Sequence, residues 1–209
     1  MELAPKAQRL LLEYCLHVAD HSPRLGLVSA RDIPNLVQKH VASSLGVLAL
    51  EQPAVGDHWV DVGSGSGLPG LIVKVCRPEA SVTLIDSSQK KTVFLQEEAL
   101  RLGIDDLDVI CSRVEEPFES QRLGSSPTFD VVLMRAVAPL PDCLRWASRI
   151  SRNGSRLFVF KGPGWAEDLD RASGSLLKFG WTFSRCLQIP WAPPKLLAFL
   201  RVRPEERAS

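Results

Sequence analysis

The chain lacks the features that would name a partner from composition alone. Its 25 Lys and Arg stand against 24 Asp and Glu, a formal net charge of +1. No global basic field marks a nucleic-acid partner, so any RNA contact must come from local patches. No apolar run reaches the length of a membrane span. Met1-Glu2-Leu3-Ala4-Pro5-Lys6 leads into a helix interrupted by polar residues, with no signal-peptide pattern, so a cytoplasmic protein is expected. The five cysteines, Cys15, Cys76, Cys111, Cys143 and Cys186, are odd in number and widely spread. No pair has metal-ligand spacing, so they read as small buried side chains in a reducing compartment and no metal site is expected. There is no internal repeat and no low-complexity tract. A length of 209 residues suffices for one α/β domain with a proper core plus a small extension.

What is present is organised around Trp59-Val60-Asp61-Val62-Gly63-Ser64-Gly65-Ser66-Gly67-Leu68-Pro69-Gly70. The apolar start suits a strand covered on both faces. Gly63, Gly65 and Gly67 allow a tight turn and a close approach to a ligand. Pro69 suits the first turn of a helix. Such a turn opens at the carboxyl edge of a parallel sheet, where α/β folds bind ligands. Gly65-x-Gly67-x-x-Gly70 formally matches the dinucleotide fingerprint. Asp61 argues against that ligand, because a carboxylate two residues before the first glycine repels a pyrophosphate. It would attract the ammonium of S-adenosylmethionine (SAM), which carries no phosphate. Asp86, at the end of the next apolar run, is placed to accept from both ribose hydroxyls, as an acid does in NAD enzymes too. Capping and turn roles are the alternative for either aspartate alone.

Two helices are expected before the sheet. One runs from about Pro5 to Ala19, with Leu10, Leu11, Tyr14 and Val18 on one face and a break at Ser22-Pro23-Arg24. The other starts at Asp32-Ile33-Pro34 with Asp32 as N-cap and carries Leu36, Val37, His40, Val41 and Leu45. Residues 1–50 thus read as an N-terminal helical module and 51–209 as the main domain. There, strand–helix alternation predicts a mostly parallel sheet. Strands are expected near His58–Val62, Val82–Ile85, Leu107–Cys111, Phe129–Met134 and Leu157–Phe160, with a turn at Asn153-Gly154. Helices are expected from Pro69, over Ser88–Leu102 with Val93, Phe94, Ala99 and Leu100 inward and Gly103 as C-cap, from Pro139 to Ile150, and over Glu167–Phe179. Trp181–Ile189 and Leu196–Val202, joined by Pro190-Trp191-Ala192-Pro193-Pro194, should close the sheet with an antiparallel edge.

The loops after the strands carry the candidate chemistry. Ser112-Arg113-Val114-Glu115-Glu116 stands where methyltransferase-like folds meet the adenine: Val114 suits the ring and Glu115 or a nearby backbone group its amino group, with solvated helix-start residues as the alternative. After the fourth strand comes Arg135-Ala136-Val137-Ala138-Pro139. No Asn-Pro-Pro-Tyr or usable Pro-Cys motif stands there, which removes the usual signs of amino-nitrogen and pyrimidine-carbon methylation. Arg135 is the notable residue, for a phosphate, a guanine edge or the SAM carboxylate, with a structural ion pair as the rival. Lys90, Lys91, Arg113, Arg135, Lys161, Lys195, Arg201 and Arg203 include several at strand ends, able to form a basic rim.

Asp61 to Gly70 closely resembles the signature of the glucose-inhibited division protein B family, also called ribosomal RNA small subunit methyltransferase G. The resemblance continues in Arg77-Pro78-Glu79, Leu84-Ile85-Asp86-Ser87, Lys90, Phe94-Leu95, Ser112-Arg113-Val114-Glu115-Glu116, Phe129-Asp130-Val131-Val132, Arg135-Ala136 and Phe160-Lys161-Gly162. It implies a Rossmann-like class I SAM-dependent methyltransferase with a mostly parallel seven-stranded sheet and an N-terminal helical extension. It implies methylation of the N7 atom of one guanine in 16S ribosomal RNA, with SAM as cofactor. By resemblance Gly63, Leu68, Val114, Glu115 and Arg135 contact the cofactor, with Asp86 on its ribose and Asp61 and Gly65 in the same loop. Lys161 matches a family lysine near the active face; Arg135 and Lys161 are expected to position an RNA phosphate or the guanine edge, with His40 supporting the pocket. The partner is 16S rRNA or the small ribosomal subunit, and a monomer is expected. Three departures fall toward the substrate side: Gly26-Leu27-Val28 replaces the family's Asn-Leu-Thr, Lys39-His40-Val41-Ala42-Ser43-Ser44 its Arg-His-x-x-Asp-Ser, and Val137 its phenylalanine. They leave open another RNA or a small acceptor as substrate, or a non-catalytic SAM-binding protein that docks on ribosomes.

Overall fold

The computed structural model describes residues 3–116, 119–120, 124–125, 127–189 and 195–202. The 190–194 connection and Arg203 lie outside these residues.

Alternating apolar positions build a three-layer architecture. Strands β1 (His58–Val62), β2 (Ser81–Asp86), β3 (Leu107–Cys111), β6 (Phe129–Arg135) and β7 (Ser151–Lys161) pair in parallel, and β8 (Trp181–Gln188) and β9 (Lys195–Arg201) complete one seven-stranded sheet. A two-stranded hairpin, β4 (Glu119–Ser120) and β5 (Gly124–Ser125), stands apart. The sheet order is β3-β2-β1-β6-β7-β9-β8. The antiparallel strand is therefore β9, and it is internal rather than at the edge. Burial explains the swap: Leu196, Leu197, Ala198 and Phe199 of β9 are all buried, whereas β8 is largely exposed and suits an edge.

Period-two alternation sorts the strand residues between two cores. Trp59, Leu84, Leu133 and Phe158 pack with α1 (Pro5–Leu25), α2 (Ala42–Leu50), α3 (Gly70–Cys76) and α4 (Gln89–Leu102). Val60, Val62, Ile85 and Met134 pack on the other face with α5 (Leu140–Arg149), α6 (Trp165–Arg171) and α7 (Ser173–Phe179). The N-terminal helices share the first core, so Tyr14, Val18 and Val47 are buried with the sheet.

Several boundaries differ from the sequence expectation. Helix α1 runs through Pro23 to Leu25, because a proline one turn from the end forfeits only one helical hydrogen bond; Gly26, with φ 62°, is the true stop and donates to the Ser22 carbonyl. The helical stretch that starts after Asp32 is not α-helical until Ala42. A 3-10 turn (Ile33–Asn35) and a π-helical turn (Leu36–Val41) precede α2, and Asp32 makes no cap: its carboxylate accepts from Ser29 Oγ at 2.8 Å and pairs with Lys39. In α4 the inward set is Phe94, Leu95, Ala99 and Leu102; Val93 and Leu100 are exposed. Asn153-Gly154 is not a separate turn but an irregularity inside β7, where pairing jumps from Phe129–Ser151 to Val131–Arg156. Pro69 lies just before α3 rather than in it, and the last helical stretch is split into α6 and α7.

Candidate functional site

Because β1, β2, β3, β6 and β7 are parallel, their carboxyl ends share one edge. Asp61, Asp86, Arg135 and Lys161 lie in the last residues of β1, β2, β6 and β7, and Gly63, Gly65, Leu68, Val114 and Glu115 come in the loops after β1 and β3. After β1 the backbone turns through Gly63, Gly65 and Gly67, with φ of 70°, 57° and 102°, conformations that favour glycine. The N–H groups of Gly63 and Ser64 donate to the Ile85 carbonyl at 2.7 and 3.0 Å, tying the turn to β2. Gly70 serves packing instead: a Cβ there would stand 2.5 Å from Leu84 Cδ2 and 2.7 Å from Asp61 Cβ.

The two aspartates hold this turn from either side. Asp86 accepts from the Gly65 N–H at 2.8 Å and from the Ser88 N–H at 2.9 Å, one bond per oxygen. Each oxygen keeps a lone pair for a further donor. Asp61 is wholly buried, and its Oδ2 accepts from the Gly70 N–H at 2.8 Å. Its Oδ1 is buried with no hydrogen-bond partner among the described residues. Burial pushes the Asp61 carboxyl up to about 7, against the opposing pull of the Gly70 N–H and the Arg135 charge. A buried acceptor of this kind fits a cationic donor such as an ammonium group.

A cleft of about 210 Å³ opens beside the turn, lined by Gly63, Asp86, Ser112, Val114, Glu115 and Trp146 among others. It brings together four residues anticipated from the sequence. Val114 is buried and Glu115 partly exposed, the arrangement for an apolar ring with a polar rim. Trp146 of α5 was not anticipated. No motif marks it; only the helical period that turns Leu140, Cys143, Leu144 and Ala147 inward leaves it on the flank facing the cleft. Leu68 is placed elsewhere, in the core beneath the N-terminal helices.

The segment after β6 splits in two directions around Ala136, whose φ of 54° is unusual for a residue other than glycine. Val137 covers the glycine turn, and a Cβ on Gly63 would stand 2.8 Å from Val137 Cγ2. Arg135 instead reaches the N-terminal helices. Its Nη2 donates to His40 Nδ1 at 2.8 Å, its Nη1 to the His40 carbonyl at 3.3 Å, and the guanidinium lies 5.4 Å from the Phe160 ring centre. Burial holds the Arg135 guanidinium below its usual range, while the Asp61 carboxylate acts the other way. Lys161 ends β7, donates to the Ala138 carbonyl at 3.4 Å and pairs with Asp168 at 3.4 Å, pinning this segment from the far side. A second unanticipated tie is Tyr14, whose buried hydroxyl donates to the Ser66 carbonyl at 2.9 Å.

The basic residues converge only in part. Lys90 and Lys91 follow β2, Arg113 lines the cleft, and Lys161 pairs in register with Lys195 at the same edge. Arg201 ends an antiparallel strand and so lies at the opposite edge.

Comparison with known proteins decides between the ligand classes this geometry admits. The chain matches the family described as rRNA small subunit methyltransferase G (GidB) over residues 7–181. It belongs to that family. Relatives of that name from Thermobifida fusca and Pseudomonas aeruginosa are each 35% identical, over 85% and 78% of this chain and 70% and 72% of theirs. One from Stutzerimonas stutzeri is 33% identical over 81% of this chain and 75% of its own. Solved structures agree on the fold. A SAM-dependent methyltransferase from Aquifex aeolicus superposes with a TM-score of 0.60 at 18% identity, covering 81% of this chain and 94% of that one. A mutant of MtNAS in complex with S-adenosylmethionine gives 0.61 at 18% identity, covering 93% and 73%. The chain thus has the Rossmann-like architecture of SAM-dependent methyltransferases, with the candidate residues near the edge where α/β folds bind ligands. Among the described residues, no helix is long and apolar enough to cross a membrane.

Proposed function

We propose that this chain transfers a methyl group from SAM to N7 of a guanine in 16S ribosomal RNA. Family membership over residues 7–181 is the observation that carries the reading. The cleft supports it, since Gly63, Asp86, Val114 and Glu115 converge there. In this reading the free lone pairs of Asp86 accept the ribose hydroxyls, Val114 and Trp146 flank the adenine, and Glu115 accepts from its amino group. Asp61 Oδ1 draws the ammonium, which supplies the missing partner of a buried acceptor. Gly65 keeps the loop low beneath the ligand, and Leu68 supports that loop from the core. Arg135 holds a carboxylate or the guanine edge, and Lys161 fixes the segment after β6.

The chemistry asks little more of the protein. Guanine N7 has a free lone pair at neutral pH and needs no general base. The residues have to align nucleophile, methyl carbon and sulfur, a proximity effect. They also have to favour the charge that moves onto the base. Lys90, Lys91, Arg113, Lys161 and Lys195 rim the edge across which RNA approaches. Residues 1–50 act as the substrate-side module and 51–209 as the SAM domain of a cytoplasmic monomer that uses no metal.

Transfer of labelled methyl to deproteinised 16S rRNA, to small ribosomal subunits and to small acceptors tests the reading. N7-methylguanine in either RNA sample is the expected product. Label only in small acceptors, or none with SAM still binding, would contradict it.

A further inference from the structure

Arg135 ends β6 at the carboxyl edge of the sheet, and uncharged groups of the N-terminal module hold it. Its guanidinium donates to His40 Nδ1 at 2.8 Å, to the His40 carbonyl at 3.3 Å and to Ser44 Oγ at 3.4 Å. An arginine only donates hydrogen bonds. His40 Nδ1 is therefore the lone-pair nitrogen, and the proton of the neutral ring sits on Nε2, which faces Asp32 Oδ2 at 3.5 Å. His40 belongs to the π-helical turn Leu36–Val41, a wide turn of a sort frequent at functional sites. Its carbonyl also receives Ser44 Oγ at 2.8 Å, so one residue gathers α2, the irregular turn and β6.

We propose that His40 is a positioning residue for Arg135: its unprotonated Nδ1 fixes the guanidinium at the carboxyl edge of β6, and methyl transfer depends on that contact. The inference rests on the methyltransferase reading above and adds a mechanism by which the N-terminal module governs turnover. A protonated ring would turn an N–H against the guanidinium and break the bond. The charged groups facing the ring are Asp32 from the preceding turn, Lys39 from its own turn and Arg135 from β6. Burial first, and then Arg135 and Lys39, outweigh Asp32 and hold the imidazole below its ordinary value. The contact is thus complete at neutral pH and lost as pH falls through that lowered value.

The test uses the full chain. Methyl transfer to small ribosomal subunits is followed against pH for the wild type, His40→Asn, His40→Gln and His40→Ala, with thermal melts on each. The Asn carbonyl oxygen replaces Nδ1 as an acceptor that does not titrate in this range; the Gln oxygen lies one carbon further out. At neutral pH, His40→Asn stays within about twofold of wild type, whereas His40→Gln and His40→Ala lose roughly tenfold in kcat/KM, the scale of one hydrogen bond to a charged group. With SAM saturating, so that titration of Asp61 does not enter, the wild type shows an acidic loss of activity that His40→Asn lacks. Equal activity of the Asn and Gln variants, or an acid limb unchanged in His40→Asn, overturns the proposal. Long-range proton–nitrogen NMR of the free protein provides a readout independent of turnover. It should show His40 protonated on Nε2 and an Arg135 guanidinium protected from exchange in wild type and His40→Asn but not in His40→Gln; a proton on Nδ1 overturns the proposal. Absence of transfer by the wild type would sink the methyltransferase reading alone, and the NMR would still decide the role of His40.

Discussion

The cleft after β1, β2 and β3 and the arginine site after β6 share one sheet edge but are held by different means. Backbone geometry builds the first: positive-φ glycines, a strand end, and an aspartate that accepts from the Gly65 amide of the turn and from the Ser88 amide after β2. Side chains from distant elements build the second: His40, Ser44 and Phe160 around Arg135. The sheet and its glycine turn set most of the backbone-built site, with the Tyr14 tie to Ser66 as the contribution of the N-terminal module. A side-chain-built site depends on docking the N-terminal module, and so it is the half that can be tuned, by substitution or by pH.

Perturbing each half separately sharpens this contrast. The largest effect is expected from Gly70→Ala, which drives a Cβ against Leu84 and Asp61. It should cost about 3 kcal/mol in urea unfolding and impair every activity together. Arg135→Ala should leave the sheet folded yet lower kcat/KM for RNA methylation about a hundredfold, about 2.7 kcal/mol in barrier; a variant with normal turnover would remove Arg135 from the machinery. Asp61→Asn keeps an acceptor for the Gly70 N–H but loses the charge, and should weaken SAM binding in calorimetry by about tenfold.

That same variant tests the sign of the Asp61 shift. The folded carboxyl lies near 7 against an ordinary 3.8, so the folded state holds its proton more tightly. The wild type should therefore lose stability relative to Asp61→Asn as pH rises between those values, and the difference should level off above them. The smallest effect is expected from Tyr14→Phe, which leaves the Ser66 carbonyl without its donor. It should cost about 1 kcal/mol in unfolding and shift SAM affinity less than Asp61→Asn does. An effect on turnover larger than that of Arg135→Ala would reverse the division drawn between the two halves.

The same division sets what the sequence revealed. The glycine turn, Asp86, Val114 and Glu115 were legible because local patterns write them: an apolar strand, a turn residue at its end, a helix start after it. Arg135 was legible as a residue at a strand end, but its partner is 95 positions away, and no local pattern links the two. Ser22-Pro23 looked like a helix break and Asp32 like a cap because local propensity favours both roles. Tertiary packing kept α1 intact, and Ser29 and Lys39 claimed the Asp32 carboxylate. Trp146 carries no motif, and its role follows only from where α5 docks.

The central claim is most directly tested by mass mapping of 16S rRNA from cells with and without the gene. The account predicts that one N7-methylated guanine disappears in its absence and returns with the wild-type gene. An unchanged set of methylated nucleotides would contradict it.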